Sequence, residues 1–365
     1  MPEPADAARR SPLIEHHLAA GATLVHRDGW DVPAHYGDAD AECLALHNRA
    51  GVMDLTPMGR IRVRGDGGLA LLERLCTADV ARQEDATVLR SLLLNERGGV
   101  IDIVRVLRLD GWWVLNCSAG RRQAVIDHLK AHADAFGAKV DDQTFKTATL
   151  AVVGPVGAEI LDRFLPNMPS RLEAGEVRTG SMMIANYIAA RTGETDLWSL
   201  EVTLPNMLAG QAWKFATAKA GDSAIRPVGT DAAEVLRIEA RLPRWGREFD
   251  EDTDPATAGL GRWVRPGNDF LGAEALTGGG GTRRVAWAIE PGGQVDRSPA
   301  VTPGDTLRSL SGEPIGAVTS AAFSPAARTW LGQARGAANV LGEGSAVSIE
   351  AQTGRQHVAT VIEVF

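Results

Sequence analysis

A single carboxylate stands inside the apolar stretch VIDIVRVLRL at residues 100–109, which follows NERGG at 95–99. The asparagine and the paired glycines are turn residues, and the Val and Ile that follow are typical of a hairpin strand. The carboxylate, Asp102, is therefore expected near a strand end, where clefts commonly form. Partial burial there makes it a candidate general base or a partner for an amine. The residues alone leave a second interpretation open, in which Asp102 lies at an edge or faces outward.

Other groups of chemically active residues match no known motif. Five histidines lie between residues 16 and 47, but their spacing fits no zinc site. The acidic segment REFDEDTDP lacks the glycine and the terminal glutamate of a calcium loop, which favours a solvated acidic turn. The chain also lacks a dinucleotide fingerprint, a P-loop and a G-x-S-x-G elbow. The sequence therefore predicts no metal ion, no dinucleotide and no hydrolase triad.

The overall charge and the termini exclude some classes of partner. The formal net charge of −8 argues against broad binding to a phosphate backbone. Cys43, Cys76 and Cys117 are far apart, which fits a reducing compartment better than a disulfide framework. The first ten residues lack the apolar core of a signal peptide, and no apolar run approaches the roughly 20 residues that span a bilayer. We expect a cytoplasmic protein that binds neither nucleic acid nor membrane.

Periodicity and turn residues predict the elements that must position Asp102. The predicted helices are SPLIEHHLAAGA with Ser11 as N-cap, a helix within ADAECLALHNRAGVMDL, GGLALLERLCTADV, GRRQAVIDHLKAHADAFG with a stop at Gly137, AEILDRFLP, MLAGQAWKFATAKAG and TDAAEVLRIEARL. The predicted strands before residue 277 are RIRVRG, the hairpin around NERGG, WWVLNCS, TATLAVVGP, SMMIANYIAART and LWSLEVTLP. Blocks grouped in this way indicate α+β layers.

Composition divides the chain into four segments. Residues 1–10 are predicted to be a disordered polar leader, and residues 11–276 hold the α+β layers. TGGGGT at 277–282 is a glycine-rich linker. Residues 283–365 hold short alternating strands separated by turns, which predicts a small β-barrel or sandwich.

Several blocks, taken in order, resemble one known family. Residues 11–65 contain GW, P-x-x-Y and AGVMDLTPMG, and the later blocks are LLLNERGGVID, PVGTDAAEVLRIEA, WGREFDEDTDPATAGLGRWV, DFLGAEAL and GAVTSAAFSP. Together they resemble the glycine-cleavage T-protein, the folate-dependent aminomethyltransferase, over about 11–365. The resemblance extends to the folate domains of sarcosine and dimethylglycine oxidases and to methyl-transferring demethylases.

The resemblance implies a fold and a reaction. The expected fold is a three-domain ring of the aminomethyltransferase type. Two α+β subdomains, interleaved within residues 11–276, surround a central opening, and a small β-barrel follows at the C-terminus. Tetrahydrofolate is expected in the opening, with its pterin buried and its glutamate tail outside. T-proteins take an aminomethyl group from the lipoyl arm of a carrier protein, release ammonia and leave methylene-tetrahydrofolate, so tetrahydrofolate and a lipoyl carrier protein are the expected partners.

The position of the family's catalytic carboxylate differs in this chain. The family's turn reads GG-I-I-D-D, and its second Asp contacts the folate amine at which the one-carbon unit is transferred. Without a gap, the first Asp is Asp102 and the second position is Ile103. Adjacent strand residues point to opposite faces, so Asp102 replaces the second Asp only if the strand slips or bulges by one residue.

Other positions also depart from the family pattern. The family's Ser-His-Met is Thr56-Pro57-Met58, a usual tyrosine is Arg90, and the arginine of its GARD segment is Ala233. The TGYTGE loop is altered in RTGETDLW, so the folate-binding Glu is either Glu194 or is lost, with Leu197 in its place. A buried polar ligand group left unpaired costs about 1–3 kcal/mol. Two or three such losses would lower the folate affinity by several decades.

Three functions fit these observations. The first is a folate-dependent aminomethyl or methyl transferase, in which Asp102 orients the transferred unit, Glu194 accepts from the pterin amino group and Arg237 braces the site. The other residues assigned to the pocket are Met58, Asn95 and Asn116. The second function is a non-catalytic folate-binding or regulatory paralogue. The third is a demethylase that takes a methyl group from a small sulfur or oxygen donor, for which Ile103 supplies an apolar surface.

For two sets of charged residues, a purely structural role remains an alternative to a role in the site. Arg60, Arg62 and Arg64 alternate along one predicted strand face. In the functional alternative they bind a folate polyglutamate tail or a lipoyl partner. In the structural alternative they form a solvated edge that discourages strand pairing. Arg237 and Glu239 either belong to the site or form an ion pair inside a helix bundle.

Overall fold

The computed structural model of the protein describes residues 8–162, 171–182, 185–218, 225–267, 269–289 and 301–365. The chain divides into two compact units. Unit 1 contains Met1–Leu72, Val80–Arg90 and Val104–Ala233. Unit 2 contains Glu73–Asp79, Ser91–Ile103 and Glu234–Phe365. The four segments predicted from composition remain predictions.

The described residues contain seven α-helices, and each lies where the sequence predicts one. Their bounds are α1 Ile14–Ala19, α2 Ala39–Asn48, α3 Gly68–Leu75, α4 Arg122–Phe136, α5 Gly157–Asp162, α6 Asn206–Thr217 and α7 Thr230–Glu239. Short 3₁₀ turns occur at Ala119–Arg121, Gly261–Trp263 and Ala273–Ala275. Within the part of the chain that the structure describes, no helix combines the length and apolarity needed to span a membrane.

The helix ends confirm the predicted stop of α4 but not the predicted N-cap of α1. Helix α4 stops at Gly137, which adopts a φ of 67° as the predicted glycine stop requires. The Asp38 side chain caps α2 by accepting from the Ala41 N–H at 3.0 Å. The predicted N-cap of α1 is wrong: the Ser11 hydroxyl accepts from the Leu13 N–H, and the helix begins at Ile14 without a side-chain cap.

A five-stranded sheet carries the row of arginines. It contains β5 Gly59–Arg64, β6 Val88–Leu94, β7 Val100–Leu109, β8 Trp112–Cys117 and β9 Lys139–Asp142 in the order β6-β7-β8-β5-β9. Strand β5 lies between β8 and β9, so the expectation that Arg60, Arg62 and Arg64 form a sheet edge is wrong. The alternation on which that expectation rested is present in the structure, because the three arginines do occupy alternate positions of one strand.

A six-stranded sheet lies within unit 1. Its strands are β4 Gly51–Asp54, β10 Thr147–Val153, β11 Val177–Met182, β12 Ala185–Ala190, β13 Ser199–Pro205 and β14 Arg226–Pro227, in the order β11-β12-β13-β10-β4-β14. Its core includes Val52, Leu150, Leu200 and Trp213. The segment SMMIANYIAART, predicted as one strand, is instead divided between β11 and β12, which pair antiparallel.

A small sheet and a buried histidine complete the amino-terminal part of unit 1. The strands β1 Arg9–Arg10, β2 Thr23–Arg27 and β3 Trp30–His35 pair in the order β1-β3-β2. Residues 9 and 10, placed by the sequence in a disordered leader, are therefore paired, while residues 1–7 lie outside the described residues. His17 is fully buried and bonds Asp54 at 2.9 Å and the Tyr36 hydroxyl at 2.8 Å.

The carboxy-terminal strands close into a barrel within unit 2. They are β15 Thr282–Ile289, β16 Thr306–Arg308, β17 Pro314–Ser324, β18 Thr329–Ala337, β19 Ala346–Glu350 and β20 Gln356–Val364. The closed order is β15-β18-β17-β16-β19-β20. The barrel interior is filled by fully buried Val285, Trp287, Leu307, Ile349 and Val361. The predicted α+β class with a C-terminal β-barrel is confirmed.

Candidate functional site

Polar side chains lie side by side on one face of the five-stranded sheet. Asn116 on β8 is opposite both Arg105 on β7 and Arg60 on β5. Two residues along, Val114 on β8 is opposite Arg62 on β5. Residues directly opposite in antiparallel strands share a face, and so do residues two apart in one strand. These five side chains therefore form two adjacent rows on the same surface of unit 1.

Arg60 carries a buried positive charge. Its residue is 2 % exposed, and its guanidinium donates to the carbonyls of Thr56, Met58, Thr144 and Thr147 and to the Thr147 hydroxyl. None of the partners that the structure describes is a carboxylate. Burial lowers the pKa of Arg60 to about 10. The group therefore remains a cation at neutral pH and contributes positive potential to this face.

Arg62 and Arg64 share a single carboxylate oxygen. The Oδ2 atom of Asp141 accepts from Arg62 at 3.1 Å and from Arg64 at 2.9 Å. The hydrogen bond from Arg64, reinforced by Arg62, lowers the pKa of Asp141. One carboxylate thus serves two guanidinium groups, which leaves an excess of positive charge beside the buried Arg60.

A cavity of about 600 Å³ lies against this face and entirely within unit 1. We call it the unit 1 cavity. The five-stranded sheet lines it with Arg60, Arg62, Leu107, Trp112, Val114 and Asn116, and the six-stranded sheet adds residues of β11, β12 and β13, including Thr179, Tyr187 and Thr203. Among the lining residues that the structure describes there are two arginines and no carboxylate. In a chain of net charge −8, this cavity is locally suited to an anion.

Three polar atoms of the lining have no hydrogen-bond partner among the described residues. They are Oδ1 of Asn116, Nε2 of Gln143 and Nε of Arg62, and all three are buried. Buried polar groups are nearly always paired, and each unpaired one costs about 1–3 kcal/mol. These three atoms leave hydrogen-bonding capacity unused in the residues around the cavity.

A partly buried ion-pair cluster adjoins this surface at Arg105. The Arg105 guanidinium donates to both carboxylate oxygens of Glu201, with NH2 to Oε2 at 3.0 Å, and to Glu194 Oε2 at 3.2 Å. Arg90 donates to Glu194 Oε1 at 3.0 Å. The Met58 sulfur lies 3.7 Å from Arg105 NH2. The cluster contains two arginines and two glutamates, so its formal charges balance.

The cluster perturbs the ionisation of its members in opposite directions. Burial favours the neutral forms, but the charges of Glu194 and Glu201 outweigh it and raise the pKa of Arg105. For Glu194, Arg105 and Arg90 overcome the effect of burial and lower the pKa. For Glu201, burial dominates and raises the pKa. Glu194 is thus the more firmly anionic carboxylate of the two.

The structure brings together three of the residues that the sequence assigned to the pocket. Asn116 lines the unit 1 cavity, and its cross-strand neighbour Arg105 contacts both Met58 and Glu194. The Glu194 side chain is 31 % exposed, whereas Glu201 in the same cluster is 9 % exposed.

Asp102 and Asn95 lie in unit 2. Asp102 is fully buried in β7, which has neighbours on both sides, so an edge or outward position is excluded. Asn95 organises the turn after β6: its Oδ1 accepts from the Arg97 and Gly99 N–H groups, and its Nδ2 donates to the Glu251 carbonyl. These bonds favour a structural role for Asn95.

Arg237 also lies in unit 2, and its hydrogen bonds are used there. It donates to Glu234, Glu248, the Leu242 carbonyl and the Ser320 hydroxyl, which engages all five of its N–H groups. The alternative of an ion pair with Glu239 is not observed: Arg237 pairs with Glu234 and Glu248, and Glu239 accepts from the Ser324 hydroxyl. The arginine is therefore committed to the architecture of unit 2.

Sequence reasoning missed Arg105, Glu201 and Gln143. A signal existed for Arg105, which is a charged residue in the same apolar strand that drew attention to Asp102. Glu201 likewise interrupts an apolar strand, β13. Gln143 follows β9 in a loop and carries no pattern that separates it from other surface amides.

Comparison with known proteins gives a consistent result. The family model of the GCVT N-terminal domain matches residues 13–267, and that of the glycine cleavage T-protein C-terminal barrel domain matches residues 289–364. The aminomethyltransferase of Moorella thermoacetica is 30 % identical over 360 residues, which cover 98 % of this chain and 97 % of that protein. The aminomethyltransferase of Desulfitobacterium hafniense (strain Y51) is 30 % identical over 321 residues, 87 % of each protein.

A solved structure agrees with these relatives. The crystal structure of glycine cleavage system aminomethyltransferase T from Bartonella henselae matches with a TM-score of 0.87 and 28 % identity. The match covers 98 % of this chain and 97 % of that one. The similarity therefore includes both the α+β region and the barrel.

Proposed function

Because the chain belongs to the glycine cleavage T-protein family, we propose that it is a tetrahydrofolate-dependent transferase of an aminomethyl or methyl group. The unit 1 cavity carries the proposal. It combines two arginines, three unsatisfied polar atoms and no described carboxylate. A folate offers this cavity an aromatic ring, an amide and a negatively charged glutamate tail. The volume of about 600 Å³ is in the usual range for such ligands.

The lining residues divide among the parts of the ligand. In this proposal Arg62, supported by the charge of Arg60, binds a carboxylate of the glutamate tail. The amide side chains of Gln143 and Asn116 are proposed to lie beside the polar groups of the folate. Trp112 supplies an aromatic surface. Tetrahydrofolate, when bound, supplies the nitrogen that accepts the one-carbon unit.

The reacting group is proposed to be oriented by Asp102, the only carboxylate in β7. The proposed donor is an aminomethyl group on a lipoyl carrier protein, as the family suggests. Met58 and Glu194 are retained as folate-binding residues because both contact Arg105 beside Asn116. Asn95 and Arg237 are assigned to the internal structure of unit 2.

Calorimetric titration with tetrahydrofolate tests the proposal, with Arg62→Gln and Arg64→Gln as a matched pair. Both arginines bond the same Asp141 oxygen, but only Arg62 lines the cavity. We expect Arg62→Gln to raise the Kd by about 10- to 100-fold, the effect of losing a hydrogen bond to a charged group. Arg64→Gln should leave the Kd within about threefold of the parent value. No binding at millimolar ligand, or equal effects of the two substitutions, would refute the proposal.

One observation favours two alternative functions. Ile103 stands where the family has its second Asp, and Asp102 precedes it on the opposite face of β7. An apolar side chain there suits either a folate-dependent demethylase of a small S- or O-methyl donor or a folate-binding paralogue without catalysis. Turnover assays with an aminomethyl-lipoyl carrier and with methyl donors separate the three. Folate binding without turnover of any donor would favour the non-catalytic paralogue.

A further inference from the structure

We infer that His128 and His132 on helix α4 form a binding site for a divalent transition-metal ion such as Zn²⁺. The two histidines are four residues apart in the helical sequence HLKAH, so their side chains lie on the same face, one turn apart. The pair belongs to unit 1. It is separate from the five amino-terminal histidines, whose spacing fits no zinc site, and the proposed folate function does not depend on it.

The separation of the two rings matches that of two imidazoles on one ion. The ring centroids of His128 and His132 are 5.3 Å apart, and the ring planes are inclined at 60°. Zinc binds an imidazole nitrogen at about 2.0–2.1 Å in a tetrahedral arrangement, which places the centroids of two rings on the same ion about 5 Å apart. The two rings therefore already have the spacing that a shared ion requires.

The hydrogen bond of His132 leaves its second ring nitrogen ready for a metal. Nδ1 of His132 lies 3.0 Å from the His128 carbonyl oxygen. Because a carbonyl oxygen only accepts, Nδ1 carries the proton of the neutral ring and Nε2 keeps its lone pair. Histidines that bind metals almost always donate their other ring N–H to a carbonyl, a carboxylate or water, which fixes the tautomer and the orientation of the ring.

The ring of His128 supplies the other nitrogen. Its Nε2 atom is buried and has no hydrogen-bond partner among the described residues. Buried polar atoms are nearly always paired, and leaving one unpaired is unfavourable. Coordination to a metal ion would satisfy this atom, as a hydrogen bond would. Each ring thus contributes one nitrogen to the proposed site.

The donor atoms indicate which ions the site would take. Imidazole nitrogen suits Zn²⁺, Ni²⁺ and Cu²⁺, whereas Mg²⁺ and Ca²⁺ prefer oxygen ligands. Within the described part of the chain, no third His, Cys, Asp or Glu joins this pair at ligating distance. The remaining coordination positions are therefore left to water. An ion held in this way links two successive turns of α4, and it stabilises the folded chain because it binds the folded state preferentially.

Calorimetric titration with ZnCl₂ tests the inference, and MgCl₂ serves as the comparison ion. We expect the unaltered protein to bind zinc at this site and its Tm to rise with zinc but not with magnesium. His128→Ala and His132→Ala should each raise the Kd for zinc at this site by about tenfold or more, since either change leaves a single ligand. The control His26→Ala removes a histidine whose side chain is 59 % exposed, and it should leave the Kd within about twofold.

Electron paramagnetic resonance of bound Cu²⁺ gives a second measurement, because it counts the coordinated nitrogens. The unaltered protein should show two imidazole nitrogens at this site, and His132→Ala should lose that signature. If circular dichroism shows that His128→Ala does not fold, His132→Ala and the copper spectrum decide. Zinc binding that persists unchanged in His132→Ala, or that weakens equally in His26→Ala, would overturn the inference. Tetrahydrofolate titration is a separate measurement, so neither result bears on the proposed function.

Discussion

Asp102 offers a test at a single side chain. It is fully buried in β7, and Asn preserves its shape while removing its ionisable group. We expect Asp102→Asn to lower the rate of one-carbon transfer by about 10²–10⁴, the usual contribution of a positioned acid–base group. Binding of tetrahydrofolate should change little, because the proposed tail and amide contacts are made by residues of unit 1. Single-turnover kinetics and calorimetry measure the two effects separately.

The control for Asp102 is Glu96→Gln, which removes a carboxylate from the exposed turn that precedes the same strand. It should leave the transfer rate unchanged. A similar loss of rate in both variants, or full activity in Asp102→Asn, would contradict a catalytic role for Asp102.

Asp54 makes a different contribution, to stability. Burial opposes its ionisation, but the hydrogen bond and charge of His17, together with Ser11 and Thr56, outweigh burial and lower the pKa of Asp54. A carboxyl group with a lowered pKa stabilises the fold above its unfolded pKa of about 3.9 and loses that contribution as the pH falls through the folded value. We expect Asp54→Asn to reduce the free energy of unfolding at pH 7 by about 3–5 kcal/mol.

Urea unfolding at a series of pH values measures this effect. Between about pH 5 and pH 2, the unfolding free energy of the unaltered protein should fall more steeply than that of Asp54→Asn. The control Asp110→Asn, at an exposed turn position, should keep the steep profile. Parallel profiles for Asp54→Asn and the unaltered protein would show that Asp54 does not supply this acid dependence.

Two glycines near α3 and α4 are required for different reasons: one because a Cβ would clash with a neighbour, the other because of its left-handed backbone conformation. A Cβ at Gly67 would lie 1.5 Å from the Phe136 carbonyl oxygen, so the end of α4 would have to move. Gly137 has a φ of 67° but open space around a Cβ. We expect Gly137→Ala to cost about 1–2 kcal/mol for the left-handed conformation and Gly67→Ala to cost more than about 3 kcal/mol. Urea unfolding gives both values, and the reverse order would mean that the two elements are not packed as described.

At the level of elements, the sequence predicted whether a segment is a helix or a strand better than it predicted which strands lie beside it. Alternation in RIRVRG identified β5 correctly, because the period of two is a property of one strand. Whether that strand lies at an edge depends on β8 and β9, which follow it by about 50 and 75 residues and leave no mark within the strand itself. The division of SMMIANYIAART into β11 and β12 was missed for a related reason, since the segment contains no glycine or proline turn signal.

For the molecule as a whole, the fold was predictable and the cavity was not. The family resemblance and the strand pattern after residue 282 indicated the α+β region and the barrel correctly. The pairing of Arg105 with Glu201 joins residues 96 positions apart, and no local pattern encodes such a contact. Unsatisfied atoms such as Asn116 Oδ1 are equally invisible in sequence, since they depend on every neighbour of the side chain. The chemistry of the site therefore required coordinates.

The hairpin of β11 and β12 also has a consequence for protein engineering. It supplies much of one wall of the unit 1 cavity, including Thr179 and Tyr187, and among the described strands of its sheet β11 pairs with β12 alone. A terminal strand can be exchanged without re-pairing the strands behind it, whereas the arginine-bearing β5 is fixed on both sides. Libraries that vary this hairpin while preserving β5, β7 and β8 would therefore change which ligands the unit 1 cavity accepts. They would keep the side of the cavity that carries Arg60 and Arg62.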